Sequence, residues 1–215
     1  MGDTKSPHQE FSDKIFFDIN VSQLMGYLNA HRRIIVSGEI FEKKTKEISM
    51  MLLQLDFDKI EPITLLIDSN GGDVRSSYFL MDVINGLNSP VDGLVIGDAC
   101  SMAVDILQMC RKRQMLPNAR LLCHFTRHGF KLISDTDSYG PEDAEALQSR
   151  MLENKKKRET MYARRTGQSI EAIQKLFRLG EVYNLYLGAE QALKENLIDE
   201  IATDFKFIPR KPKTE

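Results

Sequence analysis

The run Ile63-Thr64-Leu65-Leu66-Ile67 constrains this chain more than any other segment. It is short, continuous and almost wholly apolar, as a strand covered on both faces must be. A glycine pair, Gly71-Gly72, follows, and then Val74 to Leu87 reads as a helix. The same order recurs nearby. Val91 to Ile96 reads as a strand, and Ser101 to Cys110 as a helix. Upstream, Ile34 to Gly38 reads as a strand. It precedes a helix over Glu42 to Leu55, with Ile48, Met51, Leu52 and Leu55 at steps of three and four. Leu121 to Phe125 is a further strand. Short strands alternating with helices predict an α/β domain with a parallel-sheet core.

The second half changes character. Pro141 to Arg165 reads as a long polar helix. Pro141 suits its first turn, Glu142, Asp143 and Glu145 favour the positive end of its dipole, and Arg164 and Arg165 the negative end. Gly167 can end it, and Ser169 can cap a shorter helix from Ile170 to Leu176 or beyond. Ala189 to Glu195 reads as a helix and Leu197 to Ala202 as a closing strand. Phe16 to Tyr27 reads as strand or turn followed by a short helix. The expected organisation is a flexible segment over 1–20, one domain over 21–205 and a flexible tail over 206–215.

Composition narrows the function classes. The 215 residues suffice for a substantial core, and 42% hydrophobic with 28% charged residues is ordinary for a soluble globular protein. A formal charge of -2 gives no global attraction to nucleic acid or an anionic membrane. No apolar run has the roughly 18–20 residues a membrane helix needs, and residues 1–14 hold no apolar signal-peptide core. The three cysteines form no CxxC and leave an odd count, which suits reduced thiols and a cytoplasmic location. No cofactor or metal is expected.

Three short segments carry the chemistry. Gly97-Asp98-Ala99-Cys100-Ser101-Met102-Ala103 places a hydroxyl where a strand turns into a helix. The free N–H groups at that helix start let the Met102 amide point at an oxyanion beside Ser101. Gly72, without a Cβ and at the start of the preceding helix, is the candidate for a second donor. His124, at the end of Leu121-Leu122-Cys123-His124, supplies an imidazole. Nucleophile, base and paired backbone donors are the parts of a serine hydrolase. Each part also has an ordinary reading: Ser101 as an N-cap, the glycines as a turn, His124 as a packed side chain. The combination outweighs them, because strand ends on one edge of a parallel sheet converge on one crevice. Cys100 is the minor alternative nucleophile, although an embedded cysteine is usually inert packing.

Five motifs in order then resemble the proteolytic subunit family of the Clp protease, within the crotonase-like superfamily. They are Ile67-Asp68-Ser69-Asn70-Gly71-Gly72, Gly97 to Ala103, Leu116 to His124, Thr166-Gly167-Gln168-Ser169, and Leu187-Gly188-Ala189-Glu190-Gln191-Ala192. The resemblance runs from about Ile34 to Ile201. It implies a crotonase-like fold of repeated β-β-α and βα units, with a parallel-sheet core and a protruding helical handle over 129–165. It implies Ser101 as nucleophile, His124 as general base, and Gly72 and Met102 as oxyanion-hole amides. It also implies peptide or unfolded-protein substrates, a homo-oligomeric ring of heptamers and an AAA+ ATPase partner. The basic patch Lys155-Lys156-Lys157-Arg158 reads as a solvated helix face or ring contact.

The departures are specific. The family places an aspartate shortly before the last motif. Counting back from Leu187 gives Asn184, with Glu181 as the alternative because the intervening segment is longer. Asparagine can orient an imidazole but brings no charge to stabilise imidazolium. Asn70 stands for the family's proline and Ala103 for its glycine, and Asp98 and Cys100 flank the nucleophile. Residues 1–20 do not match the family's N-terminal axial loop. Besides an active serine endopeptidase, two readings follow: a catalytically impaired ring subunit, and a crotonase-type enzyme acting on acyl-CoA thioesters. The last does not need the Ser/His pair.

Overall fold

The sheet is built around β3 (Val91–Cys100), which pairs on one side with β2 (Ile63–Gly72) along most of its length. On its other side β3 divides its pairing. Gly93–Val95 bind β4 (Arg113–Met115), whereas Asp98–Cys100 bind β5 (Arg120–Leu122). β1 (Arg33–Ile40) flanks β2, and β7 (Glu200–Ile201) flanks β4. The path is β1-β2-β3-β4-β7, all parallel, and the two-residue β6 (Leu187–Gly188) adds to β5 antiparallel. The computed structural model describes residues 21–124, 141–183 and 186–206.

The described helices are α1 (Val21–Ala30), α2 (Glu42–Asp58), α3 (Val74–Gly86), α4 (Met102–Met109), α5 (Pro141–Thr166), α6 (Ile170–Tyr183) and α7 (Ala189–Lys194). The main core lies on the face of the sheet covered by α2, α3 and α4. Leu65 and Ile67 of β2 and Val95 of β3 meet Leu52, Leu80, Ile106 and Leu107 there. Leu66 and Leu94 point the other way, as strand alternation requires, and join Ala202 in a smaller cluster. Both faces of β2 and β3 are therefore covered, which is why these strands read as unbroken apolar runs.

Local signals act where expected. Asp73 caps α3, its carboxylate accepting from the Ser76 amide at 2.7 Å. Gly167, at φ +71°, ends α5, and the Ser169 hydroxyl accepts from the Ala172 amide at 3.2 Å at the start of α6. Several boundaries differ from expectation. β2 runs on through the glycine pair because Ile40 of β1 supplies a partner for Gly72. β5 begins at Arg120 and ends at Leu122, and α6 continues to Tyr183. The closing strand is only two residues long. The described residues give a mixed α/β fold with a mainly parallel sheet. Residues 125–140, which hold the first part of the expected handle, lie outside them. So do 1–20 and 207–215, within the two expected flexible segments.

Candidate active site

At the end of β3 the chain leaves the sheet at Cys100 and enters α4 through Ser101. Ser101 has φ 54° and ψ −122°, a backbone region that side-chain-bearing residues rarely occupy. Two hydrogen bonds hold it there. Its amide donates to the Leu122 carbonyl of β5 at 2.8 Å, and its carbonyl accepts from the Val104 amide at 3.0 Å. Such a conformation costs on the order of 1–3 kcal/mol and persists only where its surroundings impose it. Ser101 occupies the N-cap position, yet its hydroxyl makes no capping hydrogen bond. An ordinary capping serine has an extended backbone and does make one. The strained turn thus presents a half-buried hydroxyl that the helix start does not use.

The glycine pair abuts this turn. A Cβ on Gly71 (φ +82°) would stand 2.5 Å from the Cys100 carbonyl oxygen, 2.9 Å from the Ser101 Cβ and 3.0 Å from the Met102 nitrogen. A Cβ on Gly72 (φ +154°) would stand 2.2 Å from the Ile40 carbonyl oxygen. Both glycines are therefore required, for different neighbours: Gly71 by the serine turn and Gly72 by β1. The need for Gly71 has a sequence signal in the doubled glycine, but its particular neighbour does not. Ser69 steadies the pair from below. Its buried hydroxyl donates to the Gly38 carbonyl at 2.5 Å and accepts from the Gly71 amide at 3.1 Å.

His124 lies two residues beyond Leu122, the residue that bonds the Ser101 amide. The pairing of Cys100 with Leu122 in the β3–β5 ladder brings the two chain ends side by side. His124 is half-buried, and its carbonyl accepts from Arg158 Nη1 at 3.1 Å. On α6, Gly180 packs directly on Cys123 and His124. Glu181 follows it on the same helix. Asn184 lies outside the described residues.

The neighbours of Ser101 are committed elsewhere. Asp98 forms a two-bond ion pair with Arg120, at 2.8 and 2.7 Å, and Arg120 lies over the Tyr186 ring. Its carboxylate thus faces Arg120 across the β3–β5 ladder. Burial pushes the Cys100 thiol above its ordinary range, so it stays protonated, and it donates to Tyr186 Oη at 4.0 Å. That disfavours Cys100 as nucleophile.

A protein-family model described as Clp protease matches residues 18–205, which include every element described above. The chain belongs to the Clp protease family. It is also 30% identical over 181 residues to the ATP-dependent Clp protease proteolytic subunit 1 of Protochlamydia amoebophila (strain UWE25). That similarity spans 82% of this chain and 83% of the relative.

Beneath the serine turn, this Clp protease chain carries a buried ionic network that the sequence reading missed. Asp105, one turn into α4, is fully buried, and Arg158 of α5 is almost so. Arg158 Nε donates to Asp105 Oδ2 at 2.5 Å and Nη2 to Oδ1 at 2.8 Å, while Tyr162 Oη donates to Oδ1 at 2.8 Å. Burial opposes the Arg158 charge, but Asp105 outweighs it and holds the guanidinium above its ordinary value. Burial first, and then the Asp105 charge, push the Tyr162 hydroxyl well up. The expected solvated face therefore holds for Lys155, Lys156 and Lys157, which are exposed, and fails for Arg158. A run of four basic residues gives no sign that its last member turns inward.

Proposed function

We propose that the chain is a serine endopeptidase acting on peptides or unfolded proteins. One observation carries this reading: Ser101 is held in a strained turn with its hydroxyl unused by the helix cap, beside the chain end that bears His124. In the proposed reaction, Ser101 Oγ attacks the scissile carbonyl carbon while the His124 imidazole takes its proton. The amides of Met102 and Gly72 donate to the oxyanion. Collapse of the intermediate breaks the C–N bond, and His124 returns the proton to the leaving amine. Water then enters by the same route, freeing the acid and restoring Ser101. Each oxyanion donor is worth roughly 3–4 kcal/mol of barrier. The third position belongs to Asn184, with Glu181 as the alternative.

A fluorophosphonate probe tests the reading. The wild-type chain should be labelled at Ser101 and should hydrolyse peptides, and Ser101→Ala should do neither. A chain that is folded, assembled and unlabelled at Ser101 overturns it. The Asn184 position favours a second reading, an impaired ring subunit, which predicts weak or absent labelling in an otherwise normal assembly.

The proposed assembly is a closed homo-oligomeric ring, a heptamer or a pair of heptamers. The described part of α5 before Arg158 is largely exposed. Met50, Leu53 and Phe57 form an exposed apolar stripe on α2. Contacts between copies would cover such surfaces. A monomer in sedimentation at micromolar concentration overturns the proposal. Three buried free thiols fit a reducing compartment and support a cytoplasmic location. No helix among the described residues is long and apolar enough to cross a membrane.

A further inference from the structure

We infer that the buried Asp105–Arg158 pair is a positioning device for the general base, holding the backbone of His124 against the helix that begins at Ser101. The inference rests on the proposed roles of Ser101 and His124. It starts from the number of groups one guanidinium joins. Arg158 places Nε and Nη2 on the two carboxylate oxygens of Asp105 and Nη1 on the His124 carbonyl. Asp105 belongs to α4, whose first residue is Met102, so nucleophile, oxyanion donor and carboxylate share one rigid turn. His124 stands just past a strand of only three residues, which alone is a weak anchor. Arg158 ties it to that turn.

The surroundings keep the fork in one orientation. Tyr162 Oη fills a further acceptor site of Asp105, and the guanidinium lies 5.2 Å from the Phe177 ring centre. Phe177 in turn meets Tyr162 edge-on, with ring centres 4.7 Å apart. Every partner in this shell is buried, so water cannot replace a lost contact cheaply. A buried ion pair is weak support for a role in stability, since apolar residues of similar volume often serve as well. Its directional value is greater. Only the planar fork of arginine can bond two carboxylate oxygens and a third acceptor at once, and lysine cannot.

The test compares Arg158→Lys with the double variant Asp105→Leu/Arg158→Met, which buries no lone charge. Peptide turnover, KM, the rate of fluorophosphonate labelling and thermal stability are measured on each. Both variants should lose about tenfold in kcat and in labelling rate with KM little changed, the loss expected when a reacting group is slightly misplaced. The control is Arg113→Lys, which weakens another largely buried pair, Arg113–Asp199, between β4 and the turn before β7. It should lower stability and leave kcat as it is. Wild-type kcat in either folded Arg158 variant overturns the inference. If Arg158→Lys does not fold, the double variant decides. A wild-type chain that neither reacts with the probe nor hydrolyses peptide instead overturns the proposed function, which separates the two failures.

Discussion

Gly180 of α6 and Cys123, the residue before His124, meet backbone to backbone. A Cβ on Gly180 would stand 1.8 Å from the Cys123 carbonyl oxygen and 3.6 Å from the His124 Cβ. α6 therefore sits as close to the candidate base as a helix can, and only glycine permits it.

Gly180→Ala should accordingly act against its helix propensity. In an exposed helix the change would stabilise by roughly 1 kcal/mol. Here the methyl must displace α6 or the His124 strand, so stability should fall by about 1–3 kcal/mol. Peptide hydrolysis should fall about tenfold or more, since the displaced backbone carries the base. Thermal denaturation and turnover check both signs; a more stable variant with normal turnover refutes the contact.

Substitutions at Ser101 should separate chemistry from strain. Ser101→Ala should abolish hydrolysis, by roughly a thousandfold or more, and leave stability within about 0.5 kcal/mol, because no capping bond is lost. Ser101→Gly should be equally inactive but more stable by about 1 kcal/mol, because glycine occupies φ 54° and ψ −122° without strain. Denaturant midpoints of the two variants measure the difference. A glycine variant no more stable than the alanine one would mean that the turn stores no strain.

The third position is decided by two exchanges. If Asn184 orients His124, Asn184→Asp should raise turnover severalfold, since a carboxylate stabilises the imidazolium formed during attack. Glu181→Gln should then change little. The reverse pattern assigns the position to Glu181. No response from either variant leaves a Ser101–His124 pair acting alone.

Alkaline stability should report the buried thiols. Burial pushes Cys110 and Cys123 from the model-compound value of 9.0 up to about 12. Their folded values lie above the unfolded ones, so their contribution is complete below about pH 9 and is lost as pH rises toward 12. Within that window each thiol should lower stability by up to about 1.4 kcal/mol per pH unit. The double variant Cys110→Ala/Cys123→Ala should start less stable and decline less steeply. Chemical denaturation from pH 8 to pH 11 measures the slopes.

What could be read from the chain depended on how local its cause was. β2, β3 and the helices after them are legible because each strand buries both faces and each helix repeats its apolar positions locally. β4 is not, because Arg113, Gln114 and Met115 carry no strand pattern and pair only through β3 and β7. At the site, Ser101, Gly72, Met102 and His124 stand out through turn chemistry and motif order. Asp105 and Arg158 do not. They are 53 residues apart, one a lone charge in an apolar helix and the other the end of a lysine run. Their attraction exists only once α5 has docked on α4. Gly180 was equally silent, since a glycine within a helix announces nothing about the carbonyl it will meet.

The three thiols have one more consequence. Cys100, Cys110 and Cys123 stand at the serine turn, at the far end of α4 and beside His124, and all are buried. A thiol reagent can reach each only while its own neighbourhood is open. Their separate modification rates would thus time three breathing motions within one chain and rank the rigidity of the two ends of the nucleophile helix against that of the strand bearing the base.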